Sequence, residues 1–154
     1  MIRQYKTGDH VALAIVFKRS VLELGSEDYS PEQAATWAEG GSDPERWKRT
    51  CNDGRVTFVS ELEGVISGFI NLESDGHIDH FFILPEARGQ GVARALFDAL
   101  IAHAHEASMT RLYVEASEAA RRFFLRQNFE CLKRCELEIR GVAFHNYAME
   151  KRLV

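Results

Sequence analysis

Long apolar runs are missing. Nowhere in the 154 residues do enough apolar side chains follow one another to make a membrane-spanning helix. Clusters of Lys and Arg are missing too. With a formal charge of -4 and a pI near 5.9 the chain offers no phosphate-contacting stripe, so duplex nucleic acid is not an expected partner. Cysteine is scarce: Cys51, Cys131 and Cys135 leave an odd one over. In a strand over 129–139, Cys131 and Cys135 share a face but lie roughly 13 Å apart, too far to bridge. Met1 to Lys6 contain no apolar signal core. Reduced thiols and a cytoplasmic location are therefore expected. No repeat, low-complexity tract or linker interrupts the chain. Its composition, 45% hydrophobic and 27% charged, is that of one globular domain over residues 1–154.

One further absence is local. Between Arg88 and Ala95 there is no Ser, Thr, Asp or Asn, although an apolar strand ends at Pro85 and a helix of good formers runs from this stretch to about residue 107. The first N–H groups of a helix have no internal partner, and they are usually satisfied by such a side chain. Here the loop instead carries Gly89, Gly91 and Ala93, small enough for a ligand to approach the backbone, and Arg88 and Arg94, cations where the helix dipole disfavours them. Both features suit a docked phosphate. An ordinary strand-to-helix turn with flexible glycines is the competing reading. No Lys follows the glycines, which excludes a P-loop, and Arg94 stands at the sixth position of a Rossmann turn.

Along the rest of the chain, Ile2–Tyr5 form a short strand, and Asp9 opens a helix predicted through Leu24 and stopped by Gly25. Val11, Ile15 and Leu22 lie on one side of it, with Leu13, Val16 and Phe17 nearby. Ser30-Pro31-Glu32-Gln33 reads as a capping box with proline at the first helical position, and Asp43-Pro44 starts another turn or two through Trp47. Strands over 55–62, 65–72 and 77–84 are joined by connections so short that they must be antiparallel neighbours. A strand over 111–115, a helix capped by Ser117 and a long hairpin over 129–139 and 142–151 complete the chain.

Arg88-x-x-Gly91-x-Ala93 after an apolar strand resembles the Arg/Gln-x-x-Gly-x-Gly/Ala motif of the GNAT superfamily of acetyl-CoA-dependent N-acyltransferases. The order β-α-α-β-β-β-α-β-α-β-β is similar to that of the family along essentially the whole chain. Ala120 to Phe129 also resemble its pattern of Ala, an aromatic pair and Gly-Phe. The resemblance implies an α+β fold: a mixed, mostly antiparallel twisted sheet flanked by helices.

The same resemblance implies site residues. The backbone of Arg88, Gly89, Gln90, Gly91, Val92 and Ala93, with Arg94, would hold the pyrophosphate. The edge carrying Phe81, Phe82 and Ile83 would pair with the pantetheine arm, the Phe81 N–H serving as oxyanion donor. All three are equally ordinary core strand residues. Ser117 stands where members often bond the pantetheine, and it is also a plain N-cap. Members often carry an acid-base residue at two positions of the fourth strand, occupied here by His77 and Asp79, which share a strand face. A solvated His77 with no role is the alternative. His80 points to the other face unless a bulge reverses it. The tyrosine that often protonates the departing thiolate is replaced by Phe124, which has no proton to give but can pack against the cofactor. Tyr147, His145, Tyr113, water, or no acid at all are what remain. No cysteine sits where an acyl-enzyme would be expected.

The resulting expectation is acetyl transfer from acetyl-CoA to a primary amine of a small molecule or peptide, with no metal and no membrane. The exposed edges of the last hairpin make a homodimer feasible. A catalytically silent acyl-CoA-binding module, and more distantly a nucleotide-binding domain, use the same loop.

Overall fold

The computed structural model describes residues 1–153. Strands β1 (Ile2–Gln4), β2 (Val56–Leu62), β3 (Val65–Leu72), β4 (His77–Ile83), β5 (Arg111–Ala116), β6 (Glu130–Ile139) and β7 (Val142–Arg152) form one seven-stranded sheet in the order β1-β2-β3-β4-β5-β7-β6. Every neighbouring pair is antiparallel except β4 and β5. The mixed, mostly antiparallel class expected from the sequence is the one found.

Helices α1 (His10–Arg19), α2 (Pro31–Glu39) and α3 (Pro44–Thr50) precede the first hairpin, so three helices stand where the expected order has two. The third starts as foreseen, with Asp43 accepting from the Glu45 N–H at 3.0 Å and Pro44 in the first turn, and runs on to Thr50. The remaining helices are α4 (Val92–Glu106) and α5 (Glu118–Arg126).

One core lies on each face of the sheet. On one side α4 and α5 bury Leu96, Leu100 and Phe124 against Ile70, Leu72, Ile78 and Leu112. On the other, α1 and α3 bury Leu13, Val16, Phe17 and Trp47 against Val59 and Phe69. β3 lies between them, buried along nearly all its length, which is why its residues run apolar rather than alternating.

Helix α1 departs from expectation. Its α-helical part ends at Arg19, and the chain continues as a π turn over Ser20–Leu24 and a 3-10 turn over Gly25–Glu27. Gly25 therefore does not stop it. Val11, Ile15 and Leu22 are exposed, while Leu13, Ala14, Val16, Phe17 and Val21 face the core. The helix carries apolar residues around most of its surface, so periodicity alone left its inward face undecided.

The turn between β3 and β4 depends on Gly76, at φ 98°; a Cβ there would run into the carbonyl oxygen of Arg111. That close approach lets β5 join β4, with the Tyr113 N–H donating to the Gly76 carbonyl at 3.0 Å.

Candidate active site

The site begins where two parallel strands stop pairing. β4 and β5 are in register only at His77 with Tyr113 and Ile78 with Val114. Beyond that point they part, and a cleft of about 360 Å³ opens between Phe81, Phe82 and Ile83 on one wall and Ser117, Ala120 and Phe123 on the other. Val21, Leu24 and Tyr29 from the irregular end of the first helix, with Trp37 of α2, complete it. A second hollow of about 250 Å³ lies over the start of α4 and shares Ile83, Gly89, Ala93, Phe123 and Arg126 with the first, so the two form one groove.

Along β4 the backbone is aimed into this opening. Leu84 donates its N–H to Ser67 on β3 at 2.7 Å. Alternation turns the N–H groups of Ile83 and Phe81 the other way, toward the gap. At the start of α4, Gly89 and Gly91 both adopt left-handed backbone, φ 79° and 78°, and Gly91 caps the helix without a side chain. The N–H groups of Gly89, Gly91, Val92, Ala93 and Arg94 find no acceptor among the described residues. Those of Arg88 and Gln90 do: they donate to Pro85 and Ala87 at 3.2 Å each. The clamp expected over 88–93 is thereby narrowed to the positions whose donors are free. These unspent N–H groups at the positive end of a 15-residue helix fit a pyrophosphate. Arg88 is paired with Glu27 at 2.6 Å and Arg94 with Asp98 at 2.9 Å.

Ser117 combines both of its readings: it caps α5, accepting from the Ala120 N–H at 3.3 Å, and it borders the cleft. Phe124 does not line the groove. It is completely buried, its ring 4.8 Å from that of Phe129 and 5.9 Å from that of Phe81. Phe123, one helical step of about 100° away, lines both hollows. Nothing in the dipeptide Phe123-Phe124 tells which ring turns inward: Phe97 meets both rings, at 5.7 and 6.0 Å, and the contact that only Phe124 makes is with Phe129.

His77 and Asp79 lie outside the cleft walls, at its closed end, and no hydrogen bond joins them. His77 is held between Glu73 at Nδ1 and Glu115 at Nε2, both at 2.7 Å, and stacks on Tyr113. Burial works against its charge, but the two carboxylates outweigh it and its pKa is raised. Asp79 meets Arg55 at 2.7 Å; burial pushes its carboxyl up, but His80 and Arg55 pull it below the ordinary value.

A bulge sits between them. Ile70 pairs with Phe81 and Leu72 with Ile78, so Asn71 alone faces Asp79 and His80. His80 is thereby turned away from the core shared by Ile78 and Phe81 and packs on Trp47, ring centroids 4.7 Å apart. Asn71 accepts from the His80 N–H at 2.9 Å, so its amide nitrogen lies against His80 Nδ1 at 3.2 Å. In the neutral ring Nδ1 then accepts from the Asn71 amide and Nε2 carries the proton, while Asp79 Oδ2 lies 3.4 Å from the same Nδ1. Burial pushes the His80 pKa down to about 4 despite Asp79.

Glu73, His77 and Asp79 also bring ligand atoms within 4.8 Å of one another. Arg55 already reaches into this cluster, 2.7 Å from Asp79 and 3.8 Å from Glu73, while also bonded to Asp53 at 2.8 Å.

A third group, on the α5 side of the cleft, is visible only in three dimensions. Glu118 accepts from Tyr147 at 2.8 Å and lies 2.5 Å from His145 Nε2. The His145 contact, opposed by burial and reinforced by Tyr147, keeps the Glu118 carboxyl below its ordinary value. The same bond to Glu118 raises the pKa of Tyr147. The Glu118 backbone N–H donates to the Tyr29 hydroxyl at 3.0 Å. The family resemblance puts Tyr29, with Trp37 and Trp47, in the region that usually shapes the acceptor pocket, where core packing is the commoner role for aromatic residues; Tyr29 and Trp37 do line the cleft, and so does Phe123, for which the sequence offers no local pattern.

Known proteins share this arrangement. Residues 26–151 match the family described as acetyltransferase (GNAT) domain. The chain is 36% identical over 148 residues to the uncharacterized N-acetyltransferase YafP of Escherichia coli (strain K12), covering 96% of this chain and 93% of that one. It superposes with a TM-score of 0.92 and 31% identity on a structure described as a GCN5-related N-acetyltransferase (aminotransferase, class-II) from Rhodopseudomonas palustris, over 99% of this chain and 95% of that one. The fold is shared with PaiA N-acetyltransferase from Thermoplasma acidophilum in complex with coenzyme A, at a TM-score of 0.79 and 15% identity over 99% of this chain and 98% of that one. A parted parallel strand pair, an uncapped glycine turn and a matching sequence along most of the chain agree: it belongs to the GNAT family of acetyltransferases.

Proposed function

We propose that this chain is a single-domain cytoplasmic enzyme that moves the acetyl group of acetyl-CoA directly to a primary amine of a small molecule or peptide, without a metal. The observation that carries this reading is the parting of β4 from β5 directly onto the unspent N–H groups of α4. Acetyl-CoA supplies the activated acyl group. Gly89, Gly91, Val92, Ala93 and Arg94 hold its pyrophosphate through backbone donors. Ile83 and Phe81 bind the pantetheine arm as an added strand, and the Phe81 N–H polarises the thioester carbonyl. His77 and Asp79 are the candidate base pair; the amine reaches a nitrogen of His77 when Glu73 or Glu115 yields it. Tyr147 is the weaker candidate for the acid, since its proton is given to Glu118. The free edge of β6 is where a second copy would pair.

A silent acyl-CoA-binding module is the second reading, favoured by the occupied nitrogens of His77 and by the core position of Phe124. Thermal unfolding with acetyl-CoA, CoA, NAD and ATP at matched concentrations separates these cases. A ligand at about 100 times its Kd adds about 2.7 kcal/mol, a midpoint shift of about 5–10 °C. A shift with acetyl-CoA and CoA alone, followed by thiol release with a panel of amines, supports the transferase. A shift without turnover on any amine leaves the silent module. No CoA shift, or a larger one with NAD or ATP, defeats both.

A further inference from the structure

We propose that Tyr29, from the segment joining α1 to α2, is the group that protonates the departing thiol sulfur during acetyl transfer. The inference rests on the acetyl-CoA reading above and on where the tyrosine protons go. There are four tyrosines. Tyr113 gives its proton to Asp75 at 2.5 Å and Tyr147 to Glu118 at 2.8 Å. Tyr5 packs against the α1 and α3 core but is not part of the cleft lining, and its hydroxyl has no partner. Tyr29 alone lines the cleft, only 8% exposed.

Its ring is held edge-on by Trp37, centroids 5.5 Å apart, and lies 6.4 Å from Phe144. Its oxygen accepts from the Glu118 N–H at 3.0 Å. That N–H belongs to the first residue of α5, where helix donors lack internal acceptors, and it can only donate. The phenolic proton therefore remains unspent, with no acceptor among the described residues. The charged groups around it are already paired: Asp28 with Arg122, Glu27 with Arg88, and Glu118 with His145 and Tyr147. Burial raises the Tyr29 phenol above its ordinary value, the Glu118 N–H opposing, so it keeps its proton through neutral pH.

In the transfer the amine nitrogen forms the C–N bond, and the C–S bond breaks with its electron pair on sulfur. Tyr29 gives its proton to that sulfur, and the phenolate recovers one, through solvent, from the proton the nitrogen sheds.

A donor placed against the sulfur also favours bound CoA as thiolate, which can be measured without turnover. The probes are CoA and desulfo-CoA, which lacks the thiol and cancels the titration of every protein group. Relative to desulfo-CoA, CoA should tighten about tenfold between pH 7 and pH 9 on the native protein, the scale of a hydrogen bond to a charged acceptor. Tyr29→Phe, which keeps the ring packing but removes the acceptor of the Glu118 N–H, should reduce that to less than about twofold, lower the unfolding midpoint by only about 2–4 °C, leave CoA binding at pH 7 near native, and lower kcat on an amine panel by about 100-fold. Tyr147→Phe should keep the differential. Equal behaviour of CoA and desulfo-CoA on the native protein, or a differential lost with Tyr147→Phe and kept with Tyr29→Phe, overturns the proposal while leaving cofactor binding intact. Failure of both probes to bind removes the acetyl-CoA reading, and this proposal with it.

Discussion

At its N-terminal end β4 is paired on both sides, and the polar groups are bonded to one another: His77 to Glu73 and Glu115, Asp79 to Arg55, Tyr113 to Asp75. A few residues later the same strand has lost its β5 neighbour, and it leads to a helix start whose donors have no acceptor. Buried or half-buried polar groups are normally paired. The closed end therefore holds the strands together at the point from which they diverge, and His77 could act as a base only when one of its carboxylates gives way. The open end reads as a place kept for a ligand.

The largest effect should come from breaking the closed end. Gly76→Ala places a methyl group against the Arg111 carbonyl at a backbone angle of 98°, which should cost about 3 kcal/mol and lower the midpoint by about 6–12 °C. The CoA-induced shift should persist, and its loss would show that the two ends are not separable. Gly91→Val tests the open end, where φ is 78°. The strain should cost about 1–2 kcal/mol of stability, while the side chain over the free donors weakens CoA by about 100-fold, near 2.7 kcal/mol. Isothermal titration with CoA at near-native affinity would contradict the clamp.

Two histidines of β4 should titrate with opposite signs. The pKa of His77 is raised in the fold, so its stabilisation is complete below about 6.5 and is lost as pH rises through the folded value. His80 is pushed down to about 4. The unfolded chain then takes up its proton first, and stability falls as pH drops from about 6.5 toward 4. Imidazole NMR titrations, with unfolding of His77→Gln and His80→Gln against pH, check both directions. A common midpoint near 6.5 would erase the distinction between the sequestered and the ion-paired ring. The smallest effect concerns Arg88, which Glu27 competes for across the groove. Because the pair is exposed, Glu27→Gln should tighten CoA by only about two- to threefold. Weaker binding would mean that Glu27 positions the arginine instead.

Much of this molecule is written in local pattern. Ser30 and Gln33 form the capping box that their spacing implies, with reciprocal contacts of 3.1 and 2.9 Å. The short connections make β2, β3 and β4 antiparallel neighbours, and Asn128 takes the left-handed φ of 66° that lets it stand where glycine is usual. The inward face of α1 was not recoverable, because Val11 and Ile15 differ from Leu13 and Val16 only in what lies opposite them.

The site divides along the same line. A strand, two glycines and an uncapped helix are contiguous residues, so their chemistry follows from neighbours in the chain and is visible before any folding is considered. The environment of each titratable group is made by residues far away in sequence. Glu115 reaches His77, Glu118 engages His145 and Tyr147, and Glu118 bonds Tyr29. A single extra residue in β4 sends His80 to Trp47. Proton affinity depends on burial and on charges a few ångströms away, and those distances are set when strands pair and helices pack. The amino-acid order alone thus lays down an uncapped glycine turn suited to a phosphate, while the packed fold decides which polar groups are left without a partner.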